Sequence, residues 1–138
     1  MKWYKSQGAT VSKIIMGVPL YGRAFEQTTG IGAPYNGIGP GTIEAGVYSY
    51  NTLPLAGAQV RFDTLSVLGH RSREMVQVFE NLTDVTSYSY DSAKQELVSY
   101  DDPHIAQLKA QYVVSNGLGG NMFWDVSSIL RSQVDDRC

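Results

Sequence analysis

Lys13-Ile-Ile-Met-Gly-Val-Pro-Leu-Tyr-Gly-Arg-Ala-Phe25 is the stretch on which the fold turns. After its lysine the first half is a continuous apolar run instead of an alternation of apolar and polar residues. Such a run is expected of a strand covered on both faces, as in a parallel sheet. Immediately upstream, Trp3-Tyr4-Lys5-Ser6-Gln7-Gly8 reads as the last turns of a helix, with Gly8 as the left-handed residue that closes many helices. A helix feeding a strand buried on both faces belongs to an α/β architecture.

Downstream the texture changes. Residues 22–53 hold Gly30, Gly32, Gly37, Gly39, Gly41 and Gly46, with Pro34 and Pro40 among them, and read as turn-rich chain; residues 47–53 are expected to form a short helix ended by Pro54. The glycines lack the Gly-x-Gly-x-x-Gly spacing of a dinucleotide loop, and no Gly-Lys-Ser/Thr follows. Residues 58–62, 86–90 and 96–100 read as short strands, the last two forming a hairpin around Asp91-Ser92-Ala93-Lys94 in a small antiparallel sheet. From Pro103 the period becomes helical, through Ile105, Leu108, Tyr112 and Val113. Asp102 is positioned as the N-cap, Pro103 suits the first turn and Gly117 ends the helix. Leu118 to Asp125 then forms a second buried strand closing on an aromatic residue and an acid.

Composition narrows the function. With 138 residues and 43% hydrophobic content the chain is long and apolar enough for a core. A net charge of −2 and the lack of any basic run argue against a nucleic-acid partner. The longest apolar stretches are too short to span a bilayer, and Met1-Lys2-Trp3-Tyr4-Lys5 lacks the apolar core of a signal peptide. Neither a membrane partner nor an export signal is expected from these residues. A single cysteine, Cys138, allows no internal disulfide and no clustered thiolate site, and His70 and His104 have no histidine partner at helical spacing. No metal and no cofactor are expected. Nine tyrosines and two tryptophans offer flat faces with polar tips, which suit stacking on sugar rings but also serve ordinary cores.

The order is thus helix, buried strand, inserted module, helix, buried strand. In a (β/α)8 barrel the C-terminal ends of the strands face the active site, and long loops after them carry specificity. Tyr21, Arg23 and Trp124 occupy those ends, and position makes them site candidates. Two ordinary readings stand beside this one. A tryptophan closing a buried strand is often core, and Arg23 could pair with Glu26 or Glu44. Met16, Met122 and Phe123 read as core packing.

The quoted stretch from Lys13 to Phe25 resembles the seventh-strand motif of glycoside hydrolase family 18 chitinases. Leu118-Gly-Gly-Asn-Met-Phe-Trp124 resembles their eighth strand, and the chain between resembles their α+β insertion domain, through Gly30-Ile-Gly32, Gly37-Ile-Gly39 and Glu44-Ala-Gly46. Ser87-Tyr-Ser-Tyr-Asp91 and Leu97-Val-Ser-Tyr-Asp101 look like the fungal branch. The resemblance implies an incomplete (β/α)8 TIM barrel of the α/β class, its last two strands carrying an inserted α+β domain. It divides the chain into a helix end and seventh strand at 1–23, an insertion domain at 24–101, a helix and eighth strand at 102–128, and a tail at 129–138. The family hydrolyses β-1,4-linked N-acetylglucosamine polymers by substrate-assisted retaining catalysis, in which a glutamic acid protonates the glycosidic oxygen and the substrate's acetamido oxygen attacks. Chitin or a chitooligosaccharide is therefore the expected partner, and the parent enzyme is expected outside the cell. By resemblance, Trp124 is the aromatic floor beneath the sugar, Arg23 and Glu44 hydrogen-bond hydroxyl or acetamido groups, Tyr21 lines the groove and Val47 is an apolar contact. Asp125, where many relatives carry glutamate, is read as an orienting residue.

The acid of the reaction ends an Asp-x-x-Asp-x-Asp-x-Glu motif in the family, and the 138 residues contain no such arrangement. No catalytic residue is therefore assigned, and this chain alone is expected to bind sugar without hydrolysing it. The alternatives are an inactive chitin-binding, lectin-like remnant, a non-functional truncated product, or an unrelated small α+β binding domain. Residues 65–85 and 129–138 depart from the family pattern, and translated non-coding sequence is the expectation for both. In the other reading, 65–85 is a genuine surface loop with a helix near 73–79, and Asn81-Leu82-Thr83 becomes a glycosylation acceptor on a secreted chain.

Overall fold

The computed structural model describes residues 2–55, 58–60 and 76–128. Helix α1 (Lys2–Ser6) ends as expected, with Gly8 at φ +86°. Strand β1 (Ile15–Pro19) follows, and after the single residue Leu20 comes β2 (Tyr21–Phe25). The module then contributes β3 (Val47–Ser49), a 3-10 turn over Tyr50–Thr52, β4 (Ala58–Val60), β5 (Val76–Asn81), β6 (Thr86–Asp91) and β7 (Glu96–Tyr100). Helix α2 (Pro103–Ser115) and strand β8 (Gly120–Trp124) complete the order.

Two sheets result. β1 and β8 pair in parallel from Ile15↔Gly120 to Pro19↔Trp124. A parallel pair requires a long crossover, and here everything from β2 to α2 serves as that crossover. The second sheet has the order β3-β2-β7-β6-β5-β4. Its inner face runs across neighbouring strands through the pairs Ala24↔Val98, Val98↔Ser89 and Ser89↔Val78. Ala24, Tyr48, Val78, Val98 and Tyr100 form the buried cluster, with Tyr50, Leu53 and Leu55 packed against it. Gly22 belongs to this face, and a Cβ there would lie 2.7 Å from both Leu53 and Val98. Only glycine lets the β2 backbone sit so close to the core. The buried Glu96 accepts a hydrogen bond from the Tyr48 hydroxyl at 2.9 Å, which ties β3 to β7 across β2. Burial, reinforced by that carboxylate, pushes the Tyr48 hydroxyl up to about 12, so it remains a donor throughout the physiological range.

The ends of α2 follow their local signals. Asp102 accepts from the amide of Ile105 at 2.9 Å, and Pro103 fills the first turn, where no amide donor is needed. At the other end Gly117 takes φ +63°, while Leu118 and Gly117 donate to the carbonyls of Val113 and Val114. That is the double bond pattern of a Schellman closure. Ile105 and Val113 carry the buried stripe.

Five expectations need correction. β1 and β8 are strands, but they are not buried on both faces: Ile15 is 51% exposed, β8 has no buried residue, and only Val18 in β1 is enclosed. A continuous apolar run is a signal of two covered faces, and a pair of strands alone supplies no second layer. Met122 and Phe123 are likewise exposed instead of core. Residues 47–53 form a strand and a 3-10 turn in place of a helix, because Val47 and Tyr48 pair with β2. The turn-rich reading of 22–53 passed over β2. Finally, residues 76–79 are strand, not helix, paired along β6 from Val76↔Asp91 to Asn81↔Thr86, with Val78 in the core at 1% exposure. Residues 61–75, with the other half of that interval and His70, lie outside the described residues, as does the tail 129–138.

Glu80 of β5 joins the cap of α2. Its Oε2 lies 2.8 Å from Nδ1 of His104, while Glu80 Oε1 and Asp102 Oδ2 are buried acceptors without a donor. Burial raises the Asp102 carboxyl, and the charge and hydrogen bond of Glu80 add to the shift, against the opposing pull of the Ile105 amide. A proton on Asp102 gives both orphaned oxygens what they lack. The folded state thus holds a proton more tightly than the unfolded chain, so this group's contribution to stability is greatest at low pH. It is lost as pH rises from the ordinary aspartate range through the raised value. Asp102→Asn keeps the capping oxygen and supplies a permanent donor to Glu80. It is expected to unfold at or above the wild-type temperature at neutral pH and to flatten that pH dependence. Asp102→Ala is expected to lose about 0.5–2 kcal/mol with the cap. Thermal melts of the three proteins across acid to neutral pH check both statements.

Candidate functional site

The junction between the sheets assembles the site. Pro19 and Trp124 are the last paired residues of β1 and β8. One residue further, the amide of Leu20 donates to the carbonyl of Trp124 at 2.7 Å, and the carbonyl of Leu20 accepts from Tyr50 at 3.2 Å. Leu20 is 7% exposed and locks the two sheets together. Strand alternation then sends Gly22 and Ala24 to the core and puts Tyr21 and Arg23 on the opposite face. Arg23 stands directly across from Val47.

A tight loop brings up the facing wall. The amides of Thr42 and Ile43 both donate to the Val47 carbonyl, at 2.9 and 3.0 Å, and the Val47 amide donates to the Glu44 carbonyl at 2.9 Å. Gly46 bonds to Gly39 and to Ala24 and thereby fastens the loop to β2. Gly41 is the position that leaves no choice. It has φ +67°, and a Cβ there would collide with the Glu44 and Val47 carbonyl oxygens and with the Val47 amide nitrogen.

The outcome is an open cleft of about 220 Å³ lined by Tyr21, Arg23, Ile43, Glu44, Val47, Trp124 and Asp125. All five residues selected from the sequence as sugar contacts meet there. Trp124 is 66% exposed, so it is not a core tryptophan. The Arg23 guanidinium carbon lies 5.6 Å from the centroid of the Tyr21 ring, a cation–π contact, and among the described residues no carboxylate lies within 4.0 Å of Arg23. The salt bridge to Glu26 or Glu44 is absent there, which leaves the guanidinium donors available. Asp125 is already engaged: its Oδ1 accepts from both the amide and the hydroxyl of Ser127. Ile43 is the lining residue that sequence reading missed. It lies between polar neighbours in glycine-rich chain, and no periodicity marks it; only the loop bonds bring it to the cleft.

The cleft offers hydrogen-bonding groups beside an exposed aromatic face. An exposed indole face stacks on the C–H face of a pyranose ring, a guanidinium donates to hydroxyl or carbonyl oxygens, and a carboxylate accepts from hydroxyls. Among the described residues no group of three histidine, cysteine or acidic side chains is disposed to hold a metal, and no helix is long and apolar enough to cross a membrane.

Residues 1–128 match the family model described as "Glycosyl hydrolases family 18", and the chain belongs to that family. Endochitinase 1 of Metarhizium robertsii is 42% identical over 125 residues, covering 91% of this chain and 25% of that protein. The catalytic domain of psychrophilic chitinase B from Arthrobacter TAD20 superposes with a TM-score of 0.71 at 25% identity, over 92% of this chain and 25% of the other. A chitinase from Cycas revoluta, solved in complex with (GlcNAc)4, gives 0.68 at 26% identity, over 92% of this chain and 32% of its own. The chain thus spans about a quarter of the curated relative's length.

Gly41→Ala tests the loop. With a positive φ and a backbone collision together it is expected to destabilise the protein by about 1–3 kcal/mol. It should also disturb the amide signals of Glu44 and Val47 in a heteronuclear NMR spectrum. An unchanged melting temperature and spectrum would mean that the loop does not depend on this glycine.

Proposed function

We propose that this chain is the sugar-holding part of a chitin-hydrolysing enzyme. The observation that carries this reading is the convergence of Tyr21, Arg23, Glu44, Val47 and Trp124 on one cleft, from three stretches of chain that share no local sequence signal. Membership of the family and the relatives named as chitinases support the substrate class, and the Cycas revoluta complex supports oligosaccharide as the ligand. On this reading β1 and β8 are the last two strands of a (β/α)8 barrel, and the six-stranded sheet is an α+β domain inserted after the seventh. The polymeric substrate favours action outside the cell.

The residues divide the work by chemistry. Trp124 supplies the platform on which an N-acetylglucosamine ring stacks. Arg23 donates to an acetamido or hydroxyl oxygen, held by Tyr21 through its ring face. Glu44 accepts from a hydroxyl, Val47 and Ile43 close the apolar side, and Asp125 stiffens the turn after Trp124 through Ser127. In the retaining, substrate-assisted reaction these groups bind and orient the sugar whose own acetamido oxygen attacks. The proton is donated by a glutamate in an Asp-x-x-Asp-x-Asp-x-Glu motif, which these 138 residues do not contain. A second reading, an inactive chitin-binding remnant, keeps the same cleft and the same binding roles.

Two measurements separate the readings. The chain is expected to bind chitotetraose saturably, and Trp124→Ala to weaken that binding at least about tenfold, roughly 1.4 kcal/mol, with Trp124→Phe intermediate. Isothermal titration reads this directly; equal affinity of wild type and Trp124→Ala would sink the assignment. The purified chain is also expected to release no fluorophore from a fluorogenic chitooligosaccharide. Turnover by it would overturn the division between binding here and acid chemistry elsewhere.

A further inference from the structure

Of the five asparagines in the sequence, at 36, 51, 81, 116 and 121, only Asn81 is followed by any residue but proline and then serine or threonine. The structure puts this Asn81-Leu82-Thr83 triplet at the tip of the β5–β6 hairpin, where Asn81 ends β5 and pairs with Thr86. Residues 81 to 84 are all exposed. We propose that Asn81 is an N-glycan attachment site, modified when the chain enters a compartment holding a lipid-diphosphate-linked oligosaccharide.

The local geometry accommodates the product. The Asn81 side-chain oxygen accepts from the amides of Thr83 and Asp84, at 3.0 and 3.2 Å, and its Nδ2 donates to Asp84 Oδ2 at 2.8 Å. An amide nitrogen carries two hydrogens. Attachment replaces one and leaves the other for Asp84, so the folded turn survives. In the transfer a bond forms between Nδ2 and C1 of the first sugar, and the bond from C1 to the diphosphate oxygen breaks. The lipid diphosphate departs with the electron pair and Nδ2 releases one proton, so no oxidant or reductant is involved. Asn81 and Thr83 are both exposed, so the glycan extends into solvent.

The site is separate from the sugar cleft. β6 and β7 lie between β5 and β2 in the sheet, and no hairpin residue lines the cleft. A glycan at Asn81 is therefore expected to leave chitotetraose affinity unchanged.

The test uses the full 138-residue chain fused to a cleavable secretion leader, translated in vitro with endoplasmic-reticulum microsomes and also secreted from yeast. One glycan is expected, removable by peptide N-glycosidase in heavy-oxygen water with conversion of residue 81 alone to labelled aspartate. Asn81→Gln and Thr83→Ala are expected to abolish it, and Thr83→Ser to retain it. Translocated chain that stays unmodified in microsomes, or a glycan that persists in Asn81→Gln, would overturn the proposal. The microsome reading does not require the variants to fold.

Discussion

The hydrogen bond from the Leu20 amide to the Trp124 carbonyl is short, at 2.7 Å, and it sits where two chain directions meet. β1 and β8 run in parallel up to that point, Pro19 closes the first of them, and β2 departs one residue later into a different sheet. Register at this joint sets the whole site, because side chains alternate with period two along a strand. A slip of one residue would turn Tyr21 and Arg23 into the core and bring Gly22 and Ala24 to the cleft. Three features oppose the slip. Gly22 is packed too closely against Leu53 and Val98 to be exchanged for its neighbours, Tyr50 holds the Leu20 carbonyl, and Arg23 faces Val47 in the β3 ladder.

Legibility of the fold followed the range of the forces involved. The cap of α2 by Asp102, its closure at Gly117 and the hairpin from Thr86 to Tyr100 are decided within a few residues, and local sequence announced all three. β2 escaped notice because Gly22 and Arg23 interrupt any apolar pattern; it is a strand because β3 and β7 flank it. β3 looked like a short helix for the same reason, its identity being a matter of its pairing with Tyr21, Gly22 and Arg23, far away in sequence. β5 lies in a charged interval unlike its surroundings, yet Val78 supplies a core position and Glu80 meets His104. The error over β1 and β8 was of another kind. Their apolar composition signals two covered faces, whereas Ile15, Met122 and Phe123 are exposed.

The cleft was more legible than the sheet that carries it. Tyr21, Arg23 and Trp124 stand at strand ends, a position readable from the order of elements. Glu44 and Val47 came from family resemblance alone, and Ile43 from neither. The cleft brings together an exposed indole, an arginine without a carboxylate partner among the described residues, and an exposed glutamate. The one acid beside the tryptophan, Asp125, spends its oxygen on Ser127. The buried Asp102 and the half-buried Glu80 belong to the cap of α2 and serve the fold.

The central claim is that the joint at Leu20 makes Trp124 and Arg23 parts of one sugar site. The chain's two tryptophans provide an internal control, since Trp3 is also exposed but belongs to α1 and lines no part of the cleft. Titration with chitotetraose, followed through the indole and guanidinium N–H signals by NMR, tests the claim most directly. The Trp124 indole and the Arg23 Nε–H are predicted to shift together along a single saturation curve while Trp3 stays fixed. Shifts of equal size at both tryptophans, or movement of Trp124 without Arg23, would contradict it.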